Sequence, residues 1–128
     1  MIVEASPSPP IAVPVDWSRL DELLEMETAG MPGLTARLVR TFVQNSQRLL
    51  VELQAATNAG DADGVRRAAH SIKSTSANVG GTPLAQVART LEHAAQESEW
   101  QPAQADVGRI VAEHQRLLQA LSERFALL

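Results

Sequence analysis

Three residues of this 128-residue chain are histidines, and one of them has unusual neighbours. On a helix advancing about 100° per residue, residues 62–79 line up Val65, Ala68, Ala69, Ile72, Ser76 and Val79 as one apolar stripe. His70 then lies roughly 160° from Ile72 and projects away from the core. Arg66, Arg67 and Lys73 share its outer face, with the small residues Ser74, Ala77 and Gly81 C-terminal to it. Lys73 at i+3 and Arg66 at i−4 both reach a group held on the ring. An imidazole in water is largely neutral and nucleophilic at neutral pH, so this patch suits negative charge carried on or beside His70. The small residues leave the surface flat enough for another protein's backbone to approach. A solvated polar face that happens to include a histidine satisfies the same wheel, and geometry alone leaves both readings open.

The other two histidines read differently. His114 falls within the apolar stripe of the last helix, among Ile110, Val111, Leu117 and Leu118, as a core histidine. His93 points outward with Arg89 and Gln96 as ordinary surface polarity. A metal site needs ligands one helical turn apart or a carboxylate cluster. These histidines sit on separate helices, two facing outward, so no metal is expected. The absence of cysteine removes a disulfide framework, thiol catalysis and thiolate zinc sites.

The elements that must position His70 are helices. Asp16 caps a short one to about residue 28, with Trp17, Leu20, Leu23 and Leu24 as its stripe. A Gly-Met-Pro-Gly break follows, then a long helix to about residue 57 repeating Leu38, Phe42, Leu49, Leu53 and Ala56. Asp61 or Asp63 caps the histidine helix, which ends at Gly80-Gly81. Thr82 caps the next, with Pro83 at its first position, to about Glu97. Pro102 opens the last, which carries Val107, Ile110, Val111, Leu117, Leu118, Leu121 and Phe125. No segment alternates with period two. The expected fold is all-α: an antiparallel four-helix bundle with a short additional N-terminal helix. Residues 1–15 hold four of the seven prolines and read as a disordered linker or tail ahead of a domain at 16–128.

Composition narrows the partners. At 45% hydrophobic, 20% charged and 3% aromatic, the chain has the makeup of a soluble globular domain. Its net charge of −4 and scattered aromatics give neither the basic footprint nor the stacking platform that nucleic acid needs. No run approaches a membrane span, and Met-Ile-Val-Glu is not a signal-peptide start. The expected location is the cytoplasm, or the cytoplasmic portion of a membrane-bound protein.

The run from Ala69 to Gly81, AHSIKSTSANVGG, resembles the signature of histidine-containing phosphotransfer (HPt) domains: alanine and histidine, an aliphatic and lysine, small residues, then an aliphatic before glycine. Leu84 and Leu91-Glu92 follow at the family's spacing, and Leu38-Val39-Arg40-Thr41-Phe42 resembles its second-helix pattern, so the likeness spans about 16–125. The resemblance implies that His70 accepts a phosphoryl group, that Lys73 stabilises the phosphate, and that Ser74 stands where many members have glycine. Glu92 occupies a position where some members use glutamine to hydrogen-bond the imidazole, so it is a candidate to orient the ring.

The function implied is that of a phosphorelay intermediate: His70 takes a phosphoryl group from the aspartate of a response-regulator receiver domain and passes it to another receiver. The receiver would supply Mg²⁺, and this chain no cofactor and no kinase activity. Docking would use a transient interface of about 1,000 Å², with Arg66, Arg67, Ser74, Ala77 and Gly81 at the contact. The leading helix would cap the bundle near His70 and lend apolar contacts. The proline-rich lead favours the C-terminal domain of a hybrid sensor kinase, whose kinase portion would be a further partner, and one outward histidine needs no second copy, so a monomer is expected. A sensor-kinase phosphoacceptor domain fits less well, because such domains follow the histidine with an acidic residue and soon a proline, whereas here Ser71 follows and the next proline is Pro83. A helical adaptor that docks receivers without carrying phosphate is the alternative, and retention of both His70 and Lys73 argues against it.

Overall fold

The computed structural model describes residues 13–27, 30 and 32–125. Five helices follow in order: α1 (Ser18–Glu27), α2 (Leu34–Asn58), α3 (Ala62–Asn78), α4 (Thr82–Ala94) and α5 (Gln104–Phe125). There are no strands among the described residues. The first three starts have a local cause. The Asp16 carboxylate accepts from the Ser18 amide at 3.0 Å and the Ser18 hydroxyl at 2.6 Å. Asp61 caps α3 by accepting from the Gly64 amide at 2.9 Å. At α2 the cap is Gly33, with φ of 80°, and its amide donates to Glu27 at the end of α1.

The short turns at 59–61 and 79–81 fold α2, α3 and α4 back on one another, and α5 closes the ring against α4 and α2. α1 packs against this four-helix bundle through α2. The apolar stripes meet in one core that includes Leu20, Leu53, Ile72, Leu84, Ile110, Leu117 and Leu121, each at most 1% exposed. Burying a side chain of this kind contributes about 1.5–3 kcal/mol relative to leaving it in water. His114 belongs to this core: it is 4% exposed and shares a 2.8 Å hydrogen bond with Ser46.

Several local expectations need correction. Leu38 is 36% exposed whereas Val39 is fully buried, because both lie one turn from Phe42 and it is the i−3 position that faces the centre. Thr82 makes no cap bond; Gly81 holds the N-cap position, and Thr82 and Pro83 lie in the first turn of α4. That helix ends at Ala94, before Glu97, and the chain turns through Glu99 at φ of 70°. α5 starts at Gln104, two residues after Pro102. Of the expected lead, residues 1–12 lie outside the described residues. Val15 at its end is 3% exposed within the core, so packing begins ahead of Asp16.

Gly80 is the joint between the lead and the bundle. It has φ of 79°, a left-handed conformation suited to glycine at a helix C-terminus. The Asp16 amide donates to its carbonyl at 2.7 Å, and an added Cβ would collide with the Asp16 carbonyl. This contact draws the start of α1 against the α3–α4 turn.

Candidate functional site

The cap at Asp61 and the break at Gly80 set the phase of α3, and that phase turns His70 outward. Val65, Ala68, Ala69, Ile72 and Ser76 are all buried, whereas the His70 side chain is 57% exposed. From the neighbouring helix, Glu92 reaches its base. Oε2 of Glu92 lies 2.5 Å from Nδ1 of His70, and Oε1 lies 2.6 Å from Nζ of Lys73. The carboxylate is only 8% exposed, so both of its oxygens are held by these two partners at the floor of the site.

The Lys73 hydrogen bond, joined by that from His70, holds the Glu92 carboxyl below its ordinary value despite opposing burial. An ionised carboxylate only accepts hydrogen bonds, so the Nδ1 of His70 must carry the ring proton. In the neutral ring the lone pair is then on Nε2, which has no partner among the described residues. The arrangement is an exposed nucleophilic nitrogen with its tautomer set from below and an ammonium group alongside.

The remaining sequence-derived candidates divide. Ala77 is exposed and shares a shallow hollow with Lys73. Ser74 is exposed, but its hydroxyl donates back to the His70 carbonyl at 3.2 Å. Arg66 and Arg67 both pair with the single carboxylate of Asp63 at the start of the helix, Arg66 at 2.8 Å, so one of their two positive charges is offset locally. Gly81 is not on the outer face. The helix ends at Asn78, the wheel ceases to apply, and Gly81 is buried where an added Cβ would lie 2.6 Å from Leu117. His93 is exposed, as its wheel position indicates.

The hollow beside Lys73 has a volume of about 530 Å³ and lies between the start of α1, the end of α3 and the first half of α4. Ala77 and Ala85 lie on its lining, together with Arg19, Glu22 and Arg89. The side chains that α1 brings here are polar and charged, where the helix was expected to lend apolar contacts. Arg19 and Arg89 were not singled out from the sequence. They lie on different helices from Lys73, and no spacing along the chain connects them.

The helical bundle thus presents the exposed imidazole of His70 anchored from below by a carboxylate and flanked by a lysine. The chain belongs to the Hpt domain family, whose model matches residues 37–123, and its role is histidine phosphotransfer in phosphorelays. Among solved structures it is similar to that of histidine-containing phosphotransfer protein B (HptB) from Pseudomonas aeruginosa PAO1, at 34% sequence identity and a TM-score of 0.76. The alignment covers 89% of this chain and 96% of that one. A comparison with curated protein sequences finds no match. Among the described residues, no helix is long and apolar enough to cross a membrane.

Proposed function

We propose that His70 carries the phosphoryl group, accepting it from a receiver aspartate and delivering it to another. The Nε2 lone pair attacks phosphorus, the bond from phosphorus to the aspartyl oxygen breaks, and the receiver carboxylate leaves. The ring, still protonated at Nδ1, becomes cationic, and the ionised Glu92 balances that charge. Reversal toward a second receiver aspartate returns the ring to its neutral form. Lys73 stands one turn beyond the nucleophile, where its ammonium group screens phosphate charge. Phosphoryl transfer depends largely on positioning and charge neutralisation, so a module of this kind needs no phosphate loop of its own. Mg²⁺ belongs to the receiver, and this chain acts in the cytoplasm or on the cytoplasmic side as a monomeric carrier without kinase activity. It serves either alone or as the last domain of a hybrid sensor kinase.

The single observation that carries this reading is the 2.5 Å contact between Glu92 Oε2 and His70 Nδ1, which leaves Nε2 free on an exposed ring. The test is transfer from a panel of radiolabelled, phosphorylated receivers to the wild type and to His70→Gln, with Mg²⁺ present. Acid-labile, base-stable label on the wild type alone supports the reading. Receiver binding without label in either protein would favour the non-catalytic adaptor.

A further inference from the structure

The two nitrogens of the His70 ring meet different surroundings. Nδ1 lies 2.5 Å from a carboxylate that is only 8% exposed, whereas Nε2 stands free on a side chain that is 57% exposed. Among the described residues no side chain other than Glu92 hydrogen-bonds to the ring, and none other than His70 and Lys73 to Glu92. This asymmetry bears unequally on the two halves of phosphotransfer. Uptake needs a lone pair on Nε2. Release also needs a proton on Nδ1, because the electron pair of the broken Nε2–phosphorus bond returns to the ring. With that proton the ring departs as neutral imidazole; without it the ring must depart as an imidazolate anion, a far poorer leaving group. An imidazolium facing only water gives up a proton close to neutrality.

We infer that Glu92 is the release element of this carrier: it keeps the Nδ1 proton on the phosphorylated ring through the neutral and alkaline range, so that the phosphoryl group stays transferable and is not trapped on His70. The inference rests on the phosphotransfer reading. In onward transfer a receiver aspartate oxygen bonds to phosphorus as the Nε2–phosphorus bond breaks, and the proton remains on Nδ1 beside Glu92. Glu92 touches neither phosphorus nor receiver, and is a positioning residue for that proton. Its ion pair with Lys73 keeps the buried carboxyl ionised, so the group that holds the proton is charged throughout this range. Other charged groups surround the pair without bonding to it. On α3, Arg66 and Arg67 share Asp63. On α4, Arg89 and His93 are exposed on either side of Glu92 in sequence. From α2, Glu52 pairs with Arg48 and lines a hollow with Arg67. From α1, Arg19 and Glu22 line the hollow beside Lys73, and on α5 Asp106 and Arg109 pair with each other. The Nδ1 proton therefore has one acceptor.

The test separates uptake from release. Wild type and Glu92→Gln are labelled by a radiolabelled receiver, freed of it, and mixed with a fresh receiver and Mg²⁺ between about pH 7 and about pH 9, a range above the ordinary imidazole value. Glutamine keeps an oxygen for the Nδ1 proton but loses the charge. The wild-type-to-variant ratio of release rates is expected to grow about tenfold or more across that range, while the same ratio for uptake stays within about twofold of its neutral-pH value. A second measurement needs no variant: nitrogen-15 NMR of the phosphorylated wild type at about pH 8.5 is expected to show the proton still on Nδ1. A release ratio that does not change with pH, or an unprotonated Nδ1 in the phosphorylated wild type, overturns the inference while the phosphotransfer reading stands. A wild type unlabelled by every receiver brings down both.

Discussion

Glu92 lies 22 positions from His70 in sequence and 2.5 Å from it in space, and its two oxygens divide the work between ring and lysine. Replacing it separates these roles. In Glu92→Gln one oxygen remains to accept from Nδ1, but the negative charge is gone and an amide group faces one of the two former partners. Single-turnover transfer is expected to fall about tenfold, equivalent to about 1.4 kcal/mol in the barrier. Glu92→Ala, which also frees the tautomer, is expected to fall about a hundredfold. Nitrogen-15 NMR of the imidazole checks the cause: the Nδ1–H form should dominate in the wild type and lose that dominance in the alanine variant. Unchanged tautomer populations would assign the lost rate to something other than ring orientation.

A second residue-scale prediction concerns His114. Burial pushes its pKa below the ordinary histidine value of about 6.5. The unfolded chain therefore binds a proton there more readily than the folded one, and stability rises with pH through that window. His114 favours the fold above about pH 6.5 and loses that contribution as pH falls toward the lowered folded value. Urea midpoints are expected to drop between about pH 7 and about pH 5, with a shallower drop in His114→Gln. Glu92 acts in a separate window, because its carboxyl is depressed from 4.5; its contribution is present above that value and lost further into acid.

At the scale of the element, α3 depends on how it is started and stopped. Asp61 satisfies the Gly64 amide, and its removal is expected to cost about 1 kcal/mol. Gly80 is the more demanding position. Gly80→Ala must place a Cβ in a left-handed conformation and against the Asp16 carbonyl, so the backbone of the lead has to move. A loss of about 1–3 kcal/mol in urea unfolding is expected. That loss should come with a weakened hollow beside Lys73, since the Asp16–Gly80 bond holds the start of α1 there. Gly81→Ala keeps an ordinary backbone conformation but drives its Cβ against the fully buried Leu117 side chain and the Ser76 carbonyl, so it too should cost stability.

The whole molecule separates its core from its chemistry. One contiguous cluster runs from Leu20 in α1 to Leu121 in α5, and the exposed His70 stands outside it. The bundle should therefore unfold in a single transition. Leu53→Ala is expected to lower its stability by about 2–5 kcal/mol, whereas His70→Gln should change it by no more than about 1 kcal/mol. Calorimetry or chemical denaturation of the two variants checks this. A large loss in His70→Gln would mean that the Glu92 contact serves the fold as well as the site.

Much of this protein is local and therefore legible along the chain. Period, capping residues and glycine breaks placed five helices within a few residues of where they lie. The phase of each helix by itself turned His70 outward in α3 and His114 inward in α5, because a helix has only one apolar stripe to bury. Errors arose where the local rule ran out. Beyond Asn78 the wheel no longer held for Gly81, and Leu38 and Val39 were equally good steps from Phe42 until packing chose between them. The pairing of Arg66 and Arg67 with Asp63 was within reach of a spacing rule. That Glu92 holds both His70 and Lys73, and that Arg19 and Arg89 line one hollow with Lys73, are facts of helix against helix. Such contacts depend on the separation and rotation of packed cylinders, quantities that the spacing of residues within one helix does not contain.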